Sequence, residues 1–169
     1  MKLPELYMGQ LEREIMGSRK ALERVPVDRP QWKPHEKSME LGYLSNLVAT
    51  MPSWIAMAIL QDELDLAPPD GSKPESVATE TTEQLLKAHD EASEKAREAL
   101  WGTNDDHLAT SWRLLVSGKP VLEQPRYIVI ADTFTHLAHH RGQLTVYLRL
   151  LGEPVPAIYG PSADDRTFG

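Results

Sequence analysis

Three of the six histidines fall in one predicted helix in the last third of the chain, and two of them have the spacing of metal ligands. His136 and His140 lie four residues apart, so they share one face of a helix that turns about 100° per residue. Two imidazoles one turn apart can bind a single cation, as in helical zinc sites. His139 points away from this face. Because Leu137 stands where H-E-x-x-H proteases have glutamate, a second interpretation stays open, in which both histidines form hydrogen bonds inside a partly polar core.

The remaining reactive side chains form no catalytic motif, so no catalytic residue is predicted. The chain has no cysteine, which excludes disulfides, thiolate ligands and a cysteine nucleophile. It has no glycine-rich phosphate loop and no G-x-S-x-G elbow. Three isolated histidines are expected to have surface roles: His35, His89 and His107. Three residues of the tail are candidates for the wall of a cleft: Tyr159, Asp164 and Asp165.

Charge and hydropathy exclude two classes of partner. A net charge of -7 argues against a phosphate-binding surface, so we expect no nucleic acid partner. Residues 41–60 carry no charge, but their Gly, Ser, Asn, Thr and Pro residues favour a helix buried among other helices over a membrane span. The first residues offer no apolar signal-peptide core, and the lack of cysteine suits a reducing compartment. We therefore expect a cytoplasmic location.

The hydrophobic pattern predicts four helices that would position the histidines. They cover residues 4–24, 38–65, 79–100 and 125–152, with a kink at Pro52 and a loop at residues 67–74. The period changes to two at Trp112, Leu114 and Val116, and a turn follows at residues 117–118, which indicates a β-hairpin. The predicted fold is an all-α four-helix bundle in one domain over residues 1–169, with a small β-hairpin or irregular insert before the last helix.

The run from His136 to Gly152, with the tail through residue 165, resembles the last helix and tail of DinB-like proteins. Residues 35–42, with Pro52 and Trp54 beyond them, resemble the second helix of that family. The resemblance implies a four-helix bundle with a divalent metal, often Zn²⁺ or Ni²⁺, held by three histidines. Two of these match His136 and His140, and the third position is Leu47.

The leucine at position 47 leaves two outcomes open for the metal. Another donor could complete the site, and the candidates are Glu40, two turns earlier on the predicted inward side, and His35, which could fold back. Alternatively the metal is lost, and Leu47 extends the core over the site. Losing one of three ligands should weaken binding by several kcal/mol, because each metal–ligand bond contributes strongly.

The resemblance implies a metal-dependent hydrolase or a thiol-dependent transferase of unknown substrate, in which the metal lowers the pKa of a bound water or thiol. Two alternatives require no metal. One is a non-catalytic protein that binds a small molecule in a pocket between helices. The other is a homodimer built on an apolar helix face, an assembly that is common among similar proteins.

Overall fold

Helices make up most of the chain, and a small sheet joins them. The computed structural model describes residues 2–68, 71 and 79–167. Their elements, in chain order, are α1 (Leu3–Leu22), α2 (Leu41–Thr50), α3 (Ser53–Leu60), β1 (Glu63–Asp65), α4 (Thr82–Trp101), α5 (Asp105–Leu108), β2 (Ser111–Val116), β3 (Lys119–Pro125) and α6 (Arg126–Leu151). The mostly helical fold and the hairpin before the last helix are confirmed. The predicted loop at residues 67–74 lies largely outside the described residues.

The largest difference from the predicted helices occurs at Pro52. One kinked helix was predicted for residues 38–65, whereas α2 ends at Thr50, α3 begins at Ser53, and the two are bent by 51°. Pro52 lacks a backbone N–H and its ring crowds the carbonyl one turn earlier, so the kink becomes a break. Within the described ranges, no single helix is both long enough and apolar enough to cross a bilayer. The helices α2 and α3 meet the two criteria of length and apolar composition only when they are taken together, as a bent pair.

A three-stranded sheet in the order β1-β2-β3 follows this broken helix. β1, which was predicted to be helical, pairs in parallel with β2, and β2 pairs with β3 in an antiparallel hairpin. Ser117 and Gly118 form the turn with φ values of 52° and 73°, and positive φ at both positions suits a two-residue hairpin turn. The Asp65 carboxylate accepts hydrogen bonds from both turn N–H groups, at 3.0 and 2.6 Å, which ties β1 to the hairpin.

Two buried hydrophobic clusters pack the helices together. The first joins α1, α3, α4 and the first half of α6, and includes Leu11, Ile55, Leu100, Ile130 and Phe134. The second joins α1, α2, α4 and the second half of α6, and includes Leu22, Leu44, Leu85, Leu137 and Leu144. Each fully buried leucine stabilises the fold by roughly 1.5–3 kcal/mol. Because α6 contributes to both clusters, its polar side chains are held in fixed positions against the other helices.

Arg126, the first residue of α6, caps the end of α3. Its side chain is buried, with 3% of its surface exposed. Nη1 donates to the carbonyl of Ala58 at 2.7 Å and to that of Gln61, and Nη2 pairs with the carboxylate of Asp62. The last carbonyls of a helix have no N–H partner within the helix, so Arg126 supplies the donors that they lack.

We expect Arg126→Ala to lower the free energy of unfolding by about 3 kcal/mol, because it leaves helix-end carbonyls buried without donors. Asp62→Ala removes the other half of the ion pair and should lower it by less than about 1 kcal/mol, since Asp62 is 87% exposed. Urea unfolding of both variants measures the difference. Equal losses would mean that the ion pair, rather than the capped carbonyls, accounts for the contribution of Arg126.

His89 on α4 lies in the core, so its predicted surface role is wrong. The side chain is 1% exposed, with Nε2 3.0 Å from the carbonyl of Ile15 and Nδ1 3.3 Å from that of Ala49. Burial lowers the pKa of His89 and outweighs the two carbonyls and Asp90, which raise it, while Arg19 lowers it further. His107 is half-buried, with Nε2 2.8 Å from the carbonyl of Ile59, and His35 is exposed as expected.

The lowered pKa of His89 makes stability depend on pH. The unfolded chain, in which a histidine titrates near pH 6.5, takes up the proton first as the pH falls. The free energy of unfolding should therefore decrease as the pH drops below about 6.5. We expect the wild type to lose more stability than His89→Gln between about pH 7.5 and about pH 5.5, as measured by denaturant unfolding. Parallel losses in the two proteins would contradict this assignment.

Candidate metal-binding site

His136 and His140 lie side by side on α6, as their spacing predicts. Their ring centroids are 4.6 Å apart, and the ring planes are tilted by 37°. His140 is buried, with 7% of its surface exposed, whereas His136 is exposed. One imidazole of the pair is therefore inside the protein and the other is at the surface. The two rings are close enough together to contact one cation.

The orientation of His140 is fixed by Gln143, one turn further along α6. The Nδ1 atom of His140 lies 2.8 Å from Oε1 of Gln143. An amide oxygen accepts hydrogen bonds, so Nδ1 of His140 is the donor in this contact and Nε2 is the ring nitrogen that Gln143 does not contact. A metal-binding histidine usually donates its other N–H to such a partner. Gln143 was not among the predicted site residues, although its spacing of three residues from His140 could have indicated the contact.

His136 is held against α3 and has an altered pKa. The ring of Trp54 meets it edge to face, with centroids 5.4 Å apart. Although His136 is exposed as a residue, partial burial of its imidazole lowers its pKa, and the neighbouring rings of His140 and His139 lower that pKa further. The imidazole is therefore neutral at neutral pH, the form in which histidine binds metals. His139 is exposed, as predicted, although its ring centroid lies 5.1 Å from that of His140.

Leu47, the residue for which the family resemblance implies a third metal ligand, has a hydrocarbon side chain. Leu47 on α2 is half-buried and packs against the second hydrophobic cluster. Glu40 is 48% exposed and its carboxylate lies 3.7 Å from Nζ of Lys33, and the exposed His35 accepts a hydrogen bond from the N–H of Lys37. In the part of the chain that the structure describes, no group of three or more His, Cys, Asp or Glu side chains could hold a metal ion. The described donors thus amount to two imidazoles, half of a typical zinc site.

Comparison with known proteins identifies the family. The model of the DinB family matches residues 75–167, which is more than half of the 169 residues. The chain belongs to the DinB family. This confirms the resemblance of the last helix and tail, and the match includes His136 and His140. Leu47 lies outside the matched residues, so its equivalence to a third metal ligand stays a prediction.

Two solved structures share the fold of this DinB family member. A DinB-like protein from Bacillus cereus ATCC 10987 superimposes with a TM-score of 0.70 at 20% identity, covering 92% of this chain and 97% of that one. A DinB-like protein from Bacillus subtilis gives a TM-score of 0.69 at 19% identity, covering 95% and 99%. At these identities the likeness establishes the fold alone. No curated protein matches the chain.

The α6 helix of this DinB protein carries a second polar cluster on the side that faces α1. Arg141 is 2% exposed, and its Nη2 lies 2.6 Å from Oε2 of the buried Glu14. Nη1 donates to the carbonyl of Glu14 at 2.8 Å and to the Ser18 hydroxyl at 3.1 Å, and the hydroxyl of Tyr159 donates to Oε2 of Glu14 at 2.7 Å. This cluster was not predicted from the sequence. Glu14 lies on the buried stripe of α1, between Leu11 and Ser18, and that position could have indicated its burial.

The tail residues that were candidates for a cleft wall have different roles. Tyr159 lines a cavity between α1 and the tail, as expected. Asp164 accepts from Nη2 of Arg149 at 2.6 Å and from the N–H of Val155, and Asp165 accepts from the N–H of Ala157 at 3.1 Å. The two aspartates therefore shape the tail, and the tail positions Tyr159.

Proposed function

We propose that His136 and His140 form a weak two-histidine site for a divalent metal ion, Zn²⁺ or Ni²⁺, in a DinB-family protein. The proposal rests on one observation, the 4.6 Å separation of two imidazoles of which one is oriented by Gln143. Leu47 offers no lone pair at the position where the family resemblance implies a third histidine. Two protein ligands leave at least two positions of a tetrahedral ion to water or to another molecule.

A metal ion held in this way would act as a Lewis acid and lower the pKa of a bound water or thiol. This is the chemistry of the metal-dependent hydrolases and thiol-dependent transferases that the family resemblance implies. The residues of this chain would contribute binding through His136 and His140, orientation through Gln143, and an apolar wall through Trp54. No substrate class follows from these side chains.

A second candidate function is non-catalytic, and the apolar Leu47 favours it. In that case His136 and His140 are polar residues beside Trp54, and the protein binds a small molecule or a second copy of itself. The apolar pair Val146 and Leu150, one turn apart on α6 and 56% and 58% exposed, is a face on which two copies could pack. We further propose that residues 1–169 form one DinB-like domain in which α1, the α2–α3 pair, α4 and α6 correspond to the four helices of the bundle.

Restoring an imidazole at position 47 tests the metal site directly. The chain, purified without a histidine tag and treated with a chelator, is titrated with Zn²⁺ and Ni²⁺ by calorimetry. We expect weak binding to the wild type and none to His140→Ala. Leu47→His should bind at least about a hundredfold more tightly, because each ligand of a zinc site contributes several kcal/mol. Leu47→Phe is the matched control, since it adds a ring without a donor.

The other outcomes separate the two candidate functions. Failure of both the wild type and Leu47→His to bind either ion would mean that His136 and His140 are not metal ligands, which leaves the non-catalytic function. Tight, stoichiometric binding to the wild type would contradict the weak site and would require a third donor from elsewhere.

Gln143 provides a second test of the same site. We expect Gln143→Ala to weaken binding of the metal to Leu47→His by about tenfold, because the His140 ring loses the acceptor that fixes its tautomer and orientation. Gln143→Glu keeps an acceptor at the same position and should restore or exceed the original affinity. Circular dichroism checks that the helices are unchanged. If Gln143→Ala binds the metal as tightly as its parent, Gln143 does not position His140.

A further inference from the structure

A cavity of about 560 Å³ opens between α1 and the C-terminal tail, apart from the histidine pair. Its wall contains Arg13, Met16 and Lys20 from α1, and Ile158 and Tyr159 from the tail, with Glu14 and Gly17 between them. Pockets that bind small molecules usually measure about 300–1,000 Å³. The cavity therefore has the size of a ligand site, and none of its lining residues belongs to the proposed metal site.

The charge around this cavity favours an anion. Three cationic side chains and two carboxylates, those of Glu14 and Asp165, lie at or near the cavity, although the chain as a whole has a net charge of -7. The cations are Arg13, Lys20 and Arg141. Glu14 is already bound by Arg141 and Tyr159, and Nε of Arg13 lies 3.8 Å from its second oxygen. Asp165, near Lys20, is engaged by backbone N–H groups of the tail. Both carboxylates thus have close partners of their own, while Arg13 and Lys20 keep donors for a ligand.

The rest of the wall suits an apolar or aromatic group. Met16 is 57% exposed and Tyr159 is 64% exposed, so both offer uncovered apolar surface beside Ile158. The Tyr159 ring is held in place, because its hydroxyl bonds to Glu14 and Arg141 and Cζ of Arg141 lies 5.0 Å from the ring centroid. Gly17 lets the tail pack closely on α1 at this point, since a Cβ there would lie 3.1 Å from Cγ2 of Ile158. A rigid aromatic ring with adjacent cations is a preorganised surface for a ligand.

We propose that this cavity binds a small amphipathic anion, a carboxylate or phosphate carried on an apolar or aromatic body. The anionic group lies between Arg13 and Lys20, which are two turns apart on one face of α1. The apolar body contacts Met16, Ile158 and the Tyr159 ring. Docking of the tail accounts for the buried Glu14–Arg141 pair. Among the described residues, neither Arg13 nor Lys20 donates a hydrogen bond to the tail, and Met16 stays 57% exposed.

Three naphthalene probes test the proposal on the full chain by two-dimensional ¹H–¹⁵N NMR titration. They are 1-naphthoate, 1-naphthyl phosphate and the uncharged 1-naphthamide. We expect saturable shifts of the amide signals of residues 13–20 and 158–159. One or both anions should bind about fivefold to tenfold more tightly than the amide, since two exposed cations each contribute modestly. The anion with the higher affinity, 1-naphthoate or 1-naphthyl phosphate, shows whether the cavity prefers a carboxylate or a phosphate ligand.

Variants assign the binding to this cavity. The double variant Arg13→Gln with Lys20→Gln should reduce anion affinity to that of naphthamide. The matched control is Lys87→Gln with Lys95→Gln on the exposed face of α4, which changes the net charge equally and should bind like the wild type. Met16→Glu should also weaken anion binding, whereas Leu6→Glu, at another exposed position of α1, should not. The proposal would be overturned if all three probes bound with equal affinity, or if the amide signals that shift belonged to residues outside this cavity. It would also be overturned if the variants and their controls lost affinity for the anions equally.

Discussion

The missing N–H of Pro52 is the constraint on which the rest of the candidate metal site depends. It divides one predicted helix into α2 and α3 and bends the chain by 51° between them. Leu47 comes from the helix before the break and Trp54 from the first turn after it, so α6 packs against two helix segments with different directions. The break also leaves carbonyls without helical donors at the end of α2, and His89 from α4 reaches one of them at Ala49.

Two buried arginines show how α6 is fixed in this arrangement. Arg126 binds carbonyls at the end of α3, and Arg141 binds Glu14 on α1 together with the tail residue Tyr159. A buried ion pair contributes little net stability, because desolvation offsets the attraction between the charges. Its geometry is demanding, however, since each donor left without a partner is costly. These contacts therefore connect α6 to α3 at its first residue and to α1 and the tail at Arg141.

The extent to which the sequence predicts this structure depends on whether the signal is local. The helices predicted at residues 4–24, 79–100 and 125–152, the hairpin and the shared face of His136 and His140 all follow from spacing within a few turns, and each is found. The strand β1 does not follow from local spacing, because Glu63–Asp65 becomes a strand only by pairing with β2, about fifty residues later. The burial of His89 has the same cause, since Ile15 and Ala49 come from other helices. For Glu14, the stripe on α1 indicates the burial but not the partners, Arg141 and Tyr159. The spacing of the histidines predicts the pair, whereas the packing of Trp54 on His136 brings together two separate helices, α3 and α6.

Leu47 contributes to stability through its packing against the second hydrophobic cluster. A half-buried leucine stabilises the fold by roughly 1–2 kcal/mol, whereas a histidine at the same place would need a hydrogen-bond partner or a metal to offset its desolvation. The second hydrophobic cluster continues from Leu44 to Leu137 and Leu144, with Leu47 packed at its edge. The helices around the histidine pair are thus held by apolar packing that does not depend on an ion. A scaffold that is complete without a metal keeps its fold when the metal leaves, so an ion at this pair could exchange without unfolding the helices.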